Sequence, residues 1–161
     1  MLPPRACSLL LGVLLFACSA EAAIELTTDG RSIFFGLMQP GQEKRLAEAG
    51  SFHNEVTVTS NNGQTWYLKV SLLRPMSAGA ETIPPEAFQW QLTRTDGIGT
   101  EVSRGDFHSF SLVPELAYIS GSGEAEGRPV RLQFQYQLRL PDAQVSGVYS
   151  TTIRFTLTEV L

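Results

Sequence analysis

Cysteine is nearly missing from this chain of 161 residues: there are two, Cys7 and Cys18, and both precede residue 23. Residues 23–161 therefore hold no disulfide, no thiolate nucleophile and no cysteine metal site. Histidine is as scarce, with His53 and His108 only, and two histidines without cysteine fit a zinc centre poorly. A basic run is lacking too. Charges of both signs are scattered, the net charge is −4, and nothing forms the positive footprint that nucleic acid requires. After residue 22 no segment is long and apolar enough to span a bilayer as a helix. Asn54, Asn61 and Asn62 all lack Ser or Thr two residues on, so there is no glycosylation acceptor.

The first 22 residues read as an export signal. Arg5 supplies an early positive charge, an apolar run extends from Leu9 to Ala17, and Ala20-Glu21-Ala22 offers a small-residue cleavage site. The expectation is a secretory signal over 1–22 and a single domain over 23–161, secreted or at the cell surface. A competing reading makes Cys18 a lipid-modified residue, because "LLFAC" loosely follows a lipobox. Removing the signal takes away one cation, Arg5, and one anion, Glu21, and leaves the net charge at −4.

What the chain does have is a period of two. Ile24 and Leu26 share a face in "IELTT", and Val56 and Val58 share one in "NEVTVTSN". Trp66, Leu68, Val70 and Leu72 alternate with Tyr67, Lys69 and Ser71. Phe88, Trp90 and Leu92 oppose Gln89, Gln91 and Thr93. The cleanest run sets Val130, Leu132, Phe134, Tyr136, Leu138 and Leu140 against Arg131, Gln133, Gln135, Gln137 and Arg139. Near the end Tyr149, Thr151, Ile153, Phe155 and Leu157 share a face. Such alternation predicts strands with one wet and one dry face. Stacking two antiparallel sheets dry face to dry face satisfies it. The expectation is all-β: an immunoglobulin-like antiparallel sandwich of about six to nine strands, with a closed barrel as the alternative.

Turn residues punctuate these runs. "NNG" at 61–63 predicts a tight hairpin joining Val56–Ser60 to Thr65–Leu73. "PDAQVSG" at 141–147 joins the last two long strands. Pro40 to Gly50 has good helix formers but only Leu46 as a large apolar anchor, so it reads equally as a short helix or a polar connection.

No catalytic constellation is legible, and the expectation is a protein that is not an enzyme and carries no cofactor or metal. His108 stands near Asp106 and Ser109, but without a nucleophile-elbow motif it reads as an exposed loop histidine. Carboxylates are dispersed, and no particular pair is favoured for glycoside hydrolysis.

The aromatics are the remaining lead. Trp66 and Trp90 fall on dry faces, which marks them as core. Tyr67 points the other way and would face solvent. Tyr67, Phe107, Phe110 and Tyr118 are therefore the expected members of any surface platform, and such a platform would suit a secreted carbohydrate-binding module.

Two patches also carry a resemblance. "VTVTSNNGQTWYLKVS" includes Trp66-Tyr67-Leu68, and "SGVYSTTIRFTLTEVL" ends the chain with alternating Thr and apolar residues around Tyr149. Together they resemble the WxL-type surface domains of bacteria, which are cysteine-free sandwiches that attach non-covalently to the cell wall. The second W-x-L appears here as Phe155-Thr156-Leu157, without the tryptophan. The terminal strand is also similar to those of pilin-like and spore-coat-like sandwiches. Those resemblances imply a cell-surface structural or adhesive role, with an envelope polymer or other surface proteins as partners. They also imply that Ile24–Thr28 could act in strand addition.

Overall fold

The computed structural model of the protein describes residues 23–46, 52–102 and 105–161. The segment read as a signal, with Cys7 and Cys18, lies outside the described residues. Among the described residues twelve strands follow one another: β1 (Ile24–Thr28), β2 (Glu43–Leu46), β3 (Asn54–Ser60), β4 (Tyr67–Leu72), β5 (Met76–Ala78), β6 (Glu81–Ile83), β7 (Phe88–Thr95), β8 (Thr100–Glu101), β9 (His108–Ser109), β10 (Glu115–Ile119), β11 (Val130–Arg139) and β12 (Ile153–Thr158). Among the described residues the only helical element is one 3₁₀ turn, Pro85–Ala87.

Two antiparallel sheets pack together as a β-sandwich. The larger runs β1-β3-β11-β7-β9, with β2 pairing the far half of β11, and the smaller runs β12-β4-β10-β8. A separate hairpin, β5-β6, closes one corner, and Ser77 bridges to Ser150. The long strands are the ones the periodicity marks. β2, β5, β6, β8 and β9 span two to four residues each, too short to leave a readable period.

The alternation is realised as burial. Val56, Val58, Leu68, Leu132 and Phe134 are fully buried between the sheets. Trp66, Trp90, Tyr118, Tyr136, Phe88 and Phe134 are the bulkiest core members. Each such ring removes about 150–250 Å² from water, a gross gain of about 4–6 kcal/mol before ordering costs.

Two sequence expectations need correction. β3 and β4 are not a hairpin, since β3 belongs to the larger sheet and β4 to the smaller. The Asn61–Gly63 turn carries the chain across the sandwich. Its local chemistry is as expected: Gly63 has φ +70°, and Asn62 Oδ1 accepts from Ser60 Oγ and the Gln64 amide, both at 2.9 Å. A positive φ serves any tight reversal. Alternating patterns also do not say whether two strands lie side by side or face to face. The second correction concerns Pro40 to Gly50: Glu43–Leu46 is a strand paired with Tyr136–Arg139, and residues 47–50 lie outside the described residues. Pairing to a long buried strand overrides helix propensity over so few residues.

Candidate functional site

The chain between β1 and β2 and the chain between β11 and β12 meet over a gap between the two sheets. They enclose a cleft of about 1100 Å³. Its floor is Phe88, Tyr136 and Leu138 of the larger sheet; its far wall is Ile153 and Phe155 of β12 with Met76 and Ile83 of the corner hairpin. Most of these side chains are apolar because the strands turn their dry faces inward here, as they do everywhere else. Here, however, the opposite sheet does not close over them fully: Ile153 and Phe155 are only half-buried.

Two of the cleft's tyrosines are held by other lining residues. Tyr136 Oη donates to Asn54 Oδ1 at 2.6 Å, and burial raises the Tyr136 phenol well above its ordinary pKa. At the mouth Tyr149 Oη donates to the Val145 carbonyl at 2.8 Å and accepts from Gln144 Nε2 at 2.6 Å. Phe35 folds into the cleft and meets Phe88 edge-on at 5.7 Å. Its neighbours do the reverse. Phe34 is 81 % exposed, Leu37 100 %, Val145 53 % and Val148 91 %, and all four rim the cleft.

Strand β12 forms one side of this cleft and is also the edge of its sheet. It pairs with β4 from Ile153↔Leu72 to Thr158↔Tyr67, and no described strand pairs its other side. An apolar cleft beside an open strand edge can take an extended segment, with main-chain hydrogen bonds along β12 and side chains in the cleft. β1, the segment expected in strand addition, is paired within the chain from Ile24↔Ser60 to Thr28↔Val56. It forms the edge of the larger sheet.

The residues singled out from sequence are dispersed. Trp66 is fully buried at the end of the sandwich away from the cleft; its ring lies 5.4 Å from Tyr118 and its Nε1 donates to the Glu124 carbonyl at 3.3 Å. Leu68 is buried and stands opposite Leu157 in the β4–β12 register, so the two W-x-L-like stretches lie on adjacent strands. Trp90 is buried beside His108, and its Nε1 has no partner among the described residues. Tyr149 and Phe155 line the cleft. Tyr67 is half-buried between Ile119 and Thr158 on the neighbouring strands. Phe107 is half-buried, with the Arg45 guanidinium 4.6 Å from its ring centre.

Tyr118 is not a platform residue. It is fully buried, and its hydroxyl donates to the Glu124 carboxylate at 2.9 Å and accepts from the Gly99 amide at 2.7 Å. Glu124 is buried as well and also accepts from the Ile98 and Gly121 amides. Burial first, then the Glu124 carboxylate, raises the Tyr118 phenol well above its usual value. Phe110 is likewise buried, 4.5 Å from Phe88. Bulges and short strands place these rings inward, and "ELAYI" alone gives no clean period from which to see it.

His108 is in β9 rather than a loop, and Ser109 Oγ donates to the Glu86 carbonyl. His53 Nε2 contacts the Ser32 carbonyl at 3.1 Å. Among the described residues no three acidic, histidine or cysteine side chains gather as a metal site, and no helix is long and apolar enough to cross a membrane. No family model, curated protein or solved structure matches the chain.

The sequence missed the cleft. Its signal was faint: "SIFFGLM" and "VSGV" carry apolar residues without a period, flanked by Gly and Ser. An apolar residue in a non-periodic connection is the cue that could have found it.

Proposed function

We propose that the protein is a non-enzymatic, exported β-sandwich with a structural or adhesive role at the cell surface. It would hold its partner, another surface protein, through the cleft and the open edge of β12. The observation that carries this reading is the rim. Phe34, Leu37, Val145 and Val148 are exposed together around one apolar cleft, where a monomer would ordinarily keep apolar patches small. The partner contributes an extended segment with alternating apolar side chains, which fit between the half-buried Ile153 and Phe155 and the larger sheet. The export signal read over 1–22, the WxL-like and pilin-like resemblances and the disulfide-free core are in keeping with this setting.

Cell fractionation tests it. The wild-type protein should be recovered with the envelope, and a Leu37→Asp, Val148→Asp double variant should shift to the soluble fraction while folding normally. Recovery of the wild type only as a free soluble monomer would refute the proposal.

A further inference from the structure

The charges around the open edge of β12 are of one sign. Strands β4 and β12 carry one charged residue each, Lys69 and Arg154. From Ser60 to Ala80 the only charged residues are Lys69 and Arg74, and from Ala143 to Thr158 the only one is Arg154. The lining of the cleft holds a single charged residue, Arg31. All four are cations, in a chain whose net charge is −4. The first carboxylate after β12, Glu159, bonds the Asn62 side chain at the end away from the cleft.

Two of these cations are already engaged. Arg31 pairs with Asp29 at 3.2 Å, and the Arg74 guanidinium reaches Ser77 Oγ at 3.5 Å and Ser150 Oγ at 3.4 Å. Lys69 and Arg154 belong to neither of the ion pairs found among the described residues. Ile153 and Phe155 line the cleft, so Arg154 between them faces outward, and it is exposed. Register sets Arg154 opposite Ser71 and Thr156 opposite Lys69. The two cations therefore stand on a diagonal of one strand pair, and the cross-strand partner of each within that pair is uncharged.

We propose that the segment received at β12 is acidic: an extended strand whose apolar residues enter the cleft and whose outward residues are aspartate or glutamate. The inference rests on the reading of β12 and the cleft as the partner's seat, and it adds the partner's charge. A strand laid along β12 places one outward side chain directly opposite Arg154, where a carboxylate is favoured and a lysine or arginine is opposed. Lys69 lies one strand further in, about 9–10 Å from the added strand, within a Debye length at 0.1 M salt. The same cations that admit an acidic strand turn away basic ones, so the edge selects as well as binds.

The test uses short extended peptides with alternating valines, which differ only in the residues between them: glutamate, glutamine or lysine. Binding to the folded protein is read by fluorescence anisotropy. At ~50 mM salt the glutamate peptide should bind about tenfold tighter than the lysine peptide, with glutamine between, and the gap should close at ~1 M salt. Arg154→Glu should reverse the order. Arg154→Gln should narrow the gap and serves should the first variant fail to fold. Equal affinity for the glutamate and lysine peptides, or an order unchanged in folded Arg154→Glu, overturns the acidic assignment and leaves the cleft reading standing. Failure of all three peptides to bind overturns both.

Discussion

Around Trp66 the indole is fully buried, its N–H is accepted by the Glu124 carbonyl, and the Glu124 carboxylate is held by Tyr118 and two backbone amides. At the other end of the same β4–β12 ladder, where Leu72 pairs with Ile153, Leu37 and Val148 stand in solvent beside an open cleft. One end of the sandwich satisfies every polar group it buries in this cluster. The other leaves apolar surface uncovered. Burying a leucine-sized side chain is worth about 1.5–3 kcal/mol, so the open end forgoes stabilisation that the closed end takes. On the proposed function the two ends have different jobs: the Trp66 end maintains the fold, and the cleft end would receive the partner.

The contrast can be broken by mutation, beginning at the closed end. Trp66→Ala should cost about 3–5 kcal/mol in chemical denaturation, as expected for removal of a fully buried large aromatic. A stable Trp66→Ala variant that had lost only binding would make Trp66 a contact residue and erase the distinction.

Tyr118→Phe comes next. It removes a donor to the buried Glu124 carboxylate and the acceptor of the Gly99 amide, and about 1–3 kcal/mol should be lost. The same phenol sets a pH dependence. Its proton is held more tightly in the folded chain than in the unfolded one, as is that of Tyr136. Above the ordinary tyrosine pKa of about 10, the unfolded state therefore releases protons first. Stability should be fully present below that pH and fall as pH rises beyond it. Melting temperatures measured across alkaline pH should show this decline, and Tyr118→Phe should make it shallower.

At the cleft end the expected stability effects are the smallest. Leu37→Asp and Val148→Asp should each change stability by less than about 0.5 kcal/mol, while reducing envelope association. A large loss of stability in either would mean that the rim is part of the core.

The sandwich was legible because burial on one face of each long strand leaves a period of two, seen most clearly from Val130 to Leu140. Pairing was not legible. The NNG turn serves an arch as well as a hairpin, and nothing local tells β3 that β1 and β11 are its neighbours. Trp66 and Trp90 could be assigned to the core from their flanking Leu, Val and Phe residues, whereas Tyr118 could not. Its inward turn depends on a register shift between Leu116 and Tyr118 and on a glutamate six residues away. The cleft was hidden for a related reason, since its rim lies on connections where no repeating pattern distinguishes an exposed valine from a buried one.

The cleft claim is tested most directly by photo-crosslinking from position 37 in intact cells, with Tyr67 on the outer face as the control position. The expected result is an adduct at position 37 that contains a peptide from another surface protein, disappears with Val148→Asp, and has no counterpart at position 67. Uncrosslinked monomer at position 37, or the same adducts at both positions, would contradict it.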